Sequence, residues 1–165
     1  MTPGGLRNGF FLAAASVGFV GWIPYRVVPH RKWKGSGLLG TLVGWAVIWF
    51  LPTGGAAYGL ACLGMTLFAV WVSHRAEKLL DHDDPRIVID EVAGVWIACA
   101  GLPRTLGPML LGFVFFRLFD VWKGPWGRSS ARLPGGWGIV ADDVAAALMA
   151  MLLLRAVAWA GYLFV

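Results

Sequence analysis

The chain has 165 residues, of which 58% are hydrophobic and 14% are charged, and ten are tryptophan. A soluble domain carries about 25% charged residues, and the mean hydropathy here is +0.69. The composition argues against a soluble domain and predicts one membrane-embedded domain over residues 1–165. The net charge of +5 is interpreted as loops that face anionic lipid, so we expect no nucleic-acid partner.

Six hydrophobic segments are separated by short polar loops. They cover residues 9–23, 35–51, 55–73, 87–102, 106–122 and 140–165. The first is shorter than the roughly 20 residues that a spanning helix needs, so we expect a short re-entrant or interfacial N-terminal helix there. The turns PTGG and PRTLGP predict two helical hairpins. The predicted fold is an all-α, polytopic membrane bundle of about four or five transmembrane helices.

Basic residues are concentrated in three loops, residues 25–34, 73–86 and 123–137, whereas the two tight turns carry only Arg104. The positive-inside rule therefore predicts that these three loops lie in the cytoplasm and that the tight turns lie outside. We expect an integral protein of the bacterial inner (cytoplasmic) membrane.

Acidic residues of three segments fall at one depth in this topology. Asp90 and Glu91 begin the fourth segment, Asp120 ends the fifth, and Asp142 and Asp143 begin the sixth. A charged side chain costs about 2.5–3.5 kcal/mol at the centre of a membrane helix, and a divalent cation would offset that cost because hard cations prefer oxygen ligands. Helix-dipole capping is the alternative for the two acidic pairs, but it does not explain Asp120 at a helix end. The pattern favours a metal site at the cytoplasmic interface.

Cations and glycines flank this acidic layer. Arg117 and Lys123 lie three residues to either side of Asp120, on one helix surface, and they could hold a phosphate. The alternatives are an intrahelical ion pair for Arg117 and a snorkelling Lys123. The turn that contains Gly135 and Gly136 precedes a helix N-terminus and suits an anion. The stretch SGLLGTL at residues 36–42 is either a second such loop or a glycine surface for helix packing.

Three motifs occur in order along the chain: HDDPRIVIDEVAGVWIA at residues 82–98, FFRLFDVWKGPW at 115–126 and LPGGWGIVADDVAA at 133–146. Together they resemble the phosphatidylglycerophosphatase A family. The resemblance implies an integral membrane, magnesium-dependent phosphatase that converts phosphatidylglycerophosphate to phosphatidylglycerol and inorganic phosphate in phospholipid biosynthesis. Two positions depart from the family pattern, since Gly124 stands where the family has proline and Leu38 stands where it has threonine.

The predicted site follows from these motifs and from the chemistry of phosphate esters. Metal binding is assigned to Asp90, Glu91, Asp142 and Asp143, phosphate binding to Arg117, Lys123, Gly135 and Gly136, and catalysis to Asp90, Asp120 and Asp143. Mg²⁺ is the expected cofactor. Asp120 is either a further ligand or the general base, and both attack by water and an aspartyl-phosphate intermediate are open.

Two other classes of protein are alternatives to the phosphatase. A small ion- or proton-coupled transporter also carries intramembrane acids, but it requires a polar track across the membrane. The outer halves of the segments are almost free of polar side chains, with Arg155 as the exception. A non-catalytic assembly subunit would carry the same carboxylates without any dependence on a cation. The sequence indicates no oligomeric state.

Overall fold

The computed structural model describes residues 3–27, 35–81, 84–122 and 133–161. These residues form seven α-helices and one short 3-10 helix, and no strand occurs among them. The α-helices are α1 (Pro3–Ala15), α2 (Ile23–Val27), α3 (Ser36–Ile48), α4 (Gly55–Ala76), α5 (Ile89–Ala98), α6 (Leu106–Trp122) and α7 (Gly136–Trp159), and the 3-10 helix is Val20–Trp22. The all-α prediction is confirmed.

Two helices, α4 and α7, are long and apolar enough to cross a membrane. The N-terminal residues Gly5–Ala15 and Val20–Val27 form a pair bent by 79°, which adds a third span if the pair is counted as one. The predicted number of four or five spans is not confirmed. The main reason is length, because α5 has 10 residues and α3 has 13, which correspond to about 15 and 20 Å of helix against a hydrocarbon core of about 30 Å.

Helix α5 lies at the centre of the bundle and packs against α3, α4, α6 and α7. Glycines make these contacts close. Gly44 of α3 lies against Val92 and Val95 of α5, and Gly94 of α5 lies against the ring of Phe116 on α6, with no room for a Cβ atom at either glycine. Small residues at such interfaces let helix backbones approach each other, as is common between membrane helices.

Helices α3 to α7 alternate in direction. At one end of the bundle, Tyr58 near the start of α4 donates a hydrogen bond to the carbonyl of Trp96 near the end of α5 (2.7 Å). At the other end, Gly136 at the start of α7 packs against Val70 and His74 near the end of α4. The helix ends that border the three longer loops therefore lie at one end of the bundle and those that border the two tight turns lie at the other, which is the arrangement that the loop charges predict.

Helix α7 begins at Gly136, four residues before the predicted start at Val140. Gly135 precedes it with φ 61° and ψ −144°, a conformation essentially restricted to glycine, and the chain enters the helix there. Asp142 and Asp143 consequently lie beyond the first turn of α7, which contains no acidic residue. Their placement in a first turn was wrong, and helix-dipole capping does not account for this pair.

Candidate active site

A cavity of about 450 Å³ opens at the end of the bundle where α3 and α5 begin and α6 ends. We call it the carboxylate cavity. Its lining residues are Ser36, Gly37, Asp84, Pro85, Ile87, Asp90, Glu91, Arg117, Asp120, Val121 and Asp143. Five of these residues are acidic and one is basic. The structure thus brings together acids from α5, α6 and α7 that are separated by up to about a third of the chain.

Three carboxyl groups lie closest to one another in this cavity. One oxygen from each of Asp90, Glu91 and Asp143 lies within 4.8 Å of the other two. Asp90 and Asp143 are buried, with 8% and 3% of their surface exposed. Each of the three also has a buried oxygen (Asp90 Oδ1, Glu91 Oε2, Asp143 Oδ2) without a hydrogen-bond partner in the described part of the chain. Buried polar atoms are rarely left unpaired, so we expect a ligand, or a group outside the described residues, to be the partner of these oxygens.

A hard divalent cation fits this arrangement. Mg²⁺ binds oxygen ligands at about 2.0–2.1 Å and is typically held by a few carboxylates together with water and substrate phosphate. The unpaired oxygens supply such ligands, and a cation would relieve the repulsion among three neighbouring carboxylates. The residues that would hold it are Asp90, Glu91 and Asp143.

Arg117 is held in place on α6 by two neighbours. Its Nη1 atom lies 2.6 Å from Asp120 Oδ2 and donates a hydrogen bond of 3.2 Å to Thr41 Oγ1 on α3. The Thr41 hydroxyl in turn donates to the carbonyl of Gly37 (2.8 Å). A guanidinium carries five N–H donors, so Arg117 retains donors for a phosphate in the cavity. The predicted ion pair with Asp120 is present, and it is compatible with phosphate binding.

The wall of the cavity before α5 is a short loop fixed by a second ion pair. Arg86 donates to Asp84 from its backbone N–H (2.9 Å) and from its Nε (2.8 Å), and its guanidinium lies 4.5 Å from the ring centre of Trp22. Burial acts to raise the pKa of Asp84, but the hydrogen bonds and charge of Arg86 outweigh it and lower that pKa. Asp84 is therefore a charged group paired with Arg86, and this pair fixes the loop that forms this wall.

Several predicted residues lie elsewhere. Asp142 is half-buried and is not among the cavity-lining residues. Gly135 and Gly136 lie against His74 and Val70 of α4, so close helix packing accounts for both glycines. Their phosphate-binding role, and the metal-binding role of Asp142, stay predictions. Lys123 lies outside the described residues, as do Asp83 and Gly124 of the motifs.

Ser36 and Gly37 were not expected in the site as individual residues. They form the first turn of α3, so the SGLLGTL stretch is helical and not a loop. The Ser36 hydroxyl is buried and has no hydrogen-bond partner among the described residues, and a Cβ atom at Gly37 would overlap Glu91 Oε1. The spacing of the glycines in this stretch was the sequence feature that indicated a site. Both alternatives given for the stretch apply, because Gly40 packs against Val88 and Gly37 borders the carboxylates.

The cavity combines groups for phosphate chemistry. Three carboxylates could hold a cation, one arginine is positioned to bind an anion, and a free hydroxyl could donate to a phosphate oxygen. The site also lies at the end of an apolar bundle, where a lipid could place its headgroup while its chains remain in the bilayer.

Comparison with known proteins gives a family. A family model described as phosphatidylglycerophosphatase A matches residues 13–158. A Bacteroides thetaiotaomicron protein named "Putative phosphatidylinositol-3-phosphatase" is 28% identical over 136 residues, which are 79% of this chain and 86% of that protein.

Two further relatives carry the family's own name. Phosphatidylglycerophosphatase A of Escherichia coli is 33% identical over 117 residues, 68% of this chain and 66% of that protein. The protein of the same name from Haemophilus influenzae is 38% identical over 78 residues, 46% of this chain and 48% of that protein. No solved structure matches the chain.

Proposed function

Because the chain belongs to the phosphatidylglycerophosphatase A family and is thus a lipid phosphatase, we propose that it hydrolyses phosphatidylglycerophosphate to phosphatidylglycerol and inorganic phosphate. The observation that carries this proposal is the convergence of Asp90, Glu91 and Asp143 on one cavity that also contains Arg117. A phosphoric monoester is a dianion near neutral pH, and a bound cation would offset the repulsion between it and these carboxylates.

The proposed cofactor is Mg²⁺, held by Asp90, Glu91 and Asp143, with Asp142 as a further ligand through water. When bound, the ion would neutralise charge on the phosphate and orient an attacking water. The unpaired carboxylate oxygens support this assignment. A soft thiophilic metal is a poorer fit, because the ligands are oxygens.

The protein groups have separate roles in the proposed reaction. Arg117 binds two phosphate oxygens with the donors that Asp120 and Thr41 leave free, and arginine suits this because its planar fork matches phosphate geometry. Lys123 is proposed as a second phosphate ligand only because it belongs to the motif at residues 115–126. Asp120 or Asp143 accepts the proton of the attacking water.

Attack by a carboxylate is the competing route. It would leave phosphate covalently bound to an aspartate, most simply Asp90 or Asp143. Acid-quenched enzyme carrying labelled phosphate that hydroxylamine releases would identify this route, and its absence during turnover would favour direct attack by water.

We further propose that α3, α5 and α6 complete a bundle of four or five membrane-embedded helices in the bacterial inner membrane, with the carboxylate cavity on the cytoplasmic side. The basic residues of the longer loops support this sidedness. Exposed leucines on the two long helices, such as Leu60 and Leu152, support contact with lipid chains.

A transporter is less well supported than a phosphatase. Its ions would have to pass along α5, where Val92, Val95 and Trp96 are buried apolar residues between the two ends of the helix. A different lipid substrate is the more serious alternative, because the Bacteroides thetaiotaomicron relative is named for a phosphatidylinositol phosphate.

The proposal is tested by phosphate release from phosphatidylglycerophosphate by the purified protein in detergent, with Mg²⁺ and with EDTA. Asp90→Asn should abolish the Mg²⁺-dependent release, because one proposed metal ligand is lost. Asp81→Asn is the matched control, since Asp81 is exposed and does not line the cavity, and it should keep full activity.

Parallel assays with phosphatidylinositol 3-phosphate and phosphatidic acid decide the substrate. A higher kcat/KM on either lipid would overturn the proposed substrate while leaving the phosphatase intact. No Mg²⁺-dependent release from any of the three by folded protein would overturn the mechanism as well.

A further inference from the structure

A second cavity, of about 460 Å³, lies at the opposite end of the bundle. We call it the arginine cavity. Residues that line it include Thr53, Tyr58, Gly101, Arg104, Met109 and Arg155. It surrounds the C-terminal end of α5, whereas the carboxylate cavity surrounds the N-terminal end. The proposed reaction makes no use of it.

The two arginines of this cavity are only partly engaged. Arg104 donates from Nη1 to the carbonyl of Leu51 (2.6 Å) and from Nη2 to that of Pro52 (2.7 Å). Arg155 donates from Nη2 to the carbonyl of Ala100 (3.2 Å). Since each guanidinium has five N–H donors, both keep donors for another ligand.

The positive charge of Arg104 and Arg155 is not balanced by any residue that lines the cavity. None of its lining residues is an aspartate or a glutamate, and acids line the cavity at the other end of α5. The carbonyls that Arg104 and Arg155 contact are uncharged. Two guanidinium groups therefore share a cavity in which only an anion from outside the lining would balance them.

The depth of the cavity determines how costly two arginines without a counter-charge would be. Arg155 follows Asp143 by twelve residues on α7, which is about 18 Å along the helix, less than the roughly 30 Å of a hydrocarbon core. The turns after α3 and α5 end these short helices at a similar level. Arginine within the hydrocarbon region is costly unless it is paired or reaches polar headgroups, and mismatch of short helices draws the bilayer surface inwards.

The helices that carry the lining residues of this cavity also expose apolar side chains. Leu152 precedes Arg155 by less than one turn and is 61% exposed, and Leu106 and Leu60 are 65% and 70% exposed. Exposed apolar side chains on the helices that carry the lining residues match a ligand with an anionic head and hydrocarbon chains. A soluble inorganic anion would gain nothing from them.

We propose that the arginine cavity binds the phosphate group of an anionic phospholipid from the leaflet opposite to the carboxylate cavity, with Arg104 and Arg155 as its ligands. The volume lies within the range of about 300–1,000 Å³ typical of ligand pockets. Gly101 borders the Arg155 guanidinium so closely that a Cβ atom would displace it, and its φ of 77° keeps the turn open around the site. The lipid would act as a structural ligand independent of catalysis.

The test measures the thermal unfolding midpoint in detergent with phosphatidylglycerol, phosphatidylcholine or inorganic phosphate added. We expect phosphatidylglycerol to raise Tm above the value with phosphatidylcholine. Arg155→Gln should lose most of that increment, and Arg104→Gln should lose part of it. Arg7→Gln is the matched control because Arg7 is exposed and lines neither cavity, so it should keep the increment.

Phosphatidylglycerol could also enter the carboxylate cavity, and each measurement is therefore repeated with Arg117→Gln, in which the increment should persist. An increment that disappears with Arg117→Gln and survives Arg155→Gln would overturn the proposal. So would an Arg155→Gln protein that melts earlier but keeps the full increment, because Arg155 would then only cap α5. An equal increment from inorganic phosphate would overturn the lipid as the ligand.

If Arg155→Gln does not fold, Arg155→Lys takes its place. Lysine keeps the charge but supplies fewer donors, so we expect a reduced increment. Native mass spectrometry then counts phosphatidylglycerol retained by Arg155→Lys and by the unaltered protein, and equal retention would contradict the assignment.

Discussion

Two buried hydroxyl groups near the carboxylate cavity differ in how they are bonded. The Thr41 hydroxyl accepts from Arg117 and donates to the Gly37 carbonyl, whereas the Ser36 hydroxyl lines the cavity and has no partner in the described residues. A bonded hydroxyl fixes its neighbours, and an unbonded one is available to a ligand. The two residues should therefore respond differently to substitution.

Ser36→Ala should lower kcat/KM and leave stability unchanged or slightly raised. A hydrogen bond to a charged group contributes about 1.5–3 kcal/mol, so the loss is about 10- to 100-fold if Ser36 donates to the phosphate. The control is Ser73→Ala, because Ser73 also has a buried hydroxyl without a described partner but lies outside the cavity. Equal activity of both variants, measured beside Tm, would rule out a role for Ser36 in binding phosphate.

Thr41→Val should lower kcat/KM through Arg117, because the guanidinium loses one of its two holding contacts. We expect a decrease of about tenfold, consistent with one hydrogen bond of about 1–1.5 kcal/mol. Thr41→Ser keeps the hydroxyl and should restore activity. If both variants lose Tm and activity together, Thr41 contributes only to packing.

At the level of elements, α5 is both the most enclosed helix of the bundle and the helix that carries two of the cavity acids. Its first turn carries Asp90 and Glu91, and four helices pack around it. Gly94 lies one turn further on, where a Cβ atom would overlap the Phe116 ring and contact the backbone carbonyl of Asp143. The close approach of α5, α6 and α7 at this glycine sets the spacing of the acids one turn away.

Gly94→Ala should therefore reduce stability and activity together. Overpacking of a filled interior costs about 1–3 kcal/mol, and any shift of α5 separates Asp90 and Glu91 from Asp143. Gly64→Ala on α4 is the control, because a Cβ atom there meets nothing within 4 Å and alanine favours a helix by up to about 1 kcal/mol. An unchanged Tm and unchanged activity of Gly94→Ala would show that the helices are not tightly packed at this point.

The sequence predicted the acid layer better than the element boundaries. The motif spacing and loop charges were enough to place acids of α5, α6 and α7 at one end, since alternating helices return to the same side. The start of α7 was missed because the Gly135–Gly136 turn was interpreted as an anion site, whereas its glycines pack against α4. The stretch at residues 36–42 was predicted only as one of two alternatives, an anion loop or a packing surface, because a lone serine in an apolar segment does not by itself indicate a site.

At the level of the whole molecule, the acids of the carboxylate cavity belong to three different helices. Folding is therefore what brings these acids together. Three carboxyl groups with oxygens within 4.8 Å repel one another when they are ionised in the folded protein without a cation. The unfolded chain does not hold them together. The fold thus stores a destabilising arrangement that a divalent cation would reverse.

Metal binding should therefore reverse the order of the unfolding temperatures of Asp143→Asn and the unaltered protein between EDTA and Mg²⁺. Mg²⁺ at a hundredfold excess over its Kd stabilises a folded protein by about 2.7 kcal/mol, or about 5–10 °C in Tm for a chain of this size. Asp143→Asn should unfold at a higher temperature than the unaltered protein in EDTA, because repulsion is relieved, and at a lower one in saturating Mg²⁺, because a ligand is lost. Asp81→Asn should follow the unaltered protein in both conditions. If Mg²⁺ raises the Tm of Asp143→Asn as much as that of the unaltered protein, Asp143 is not a metal ligand. If Mg²⁺ changes neither Tm, the three carboxylates do not bind this cation.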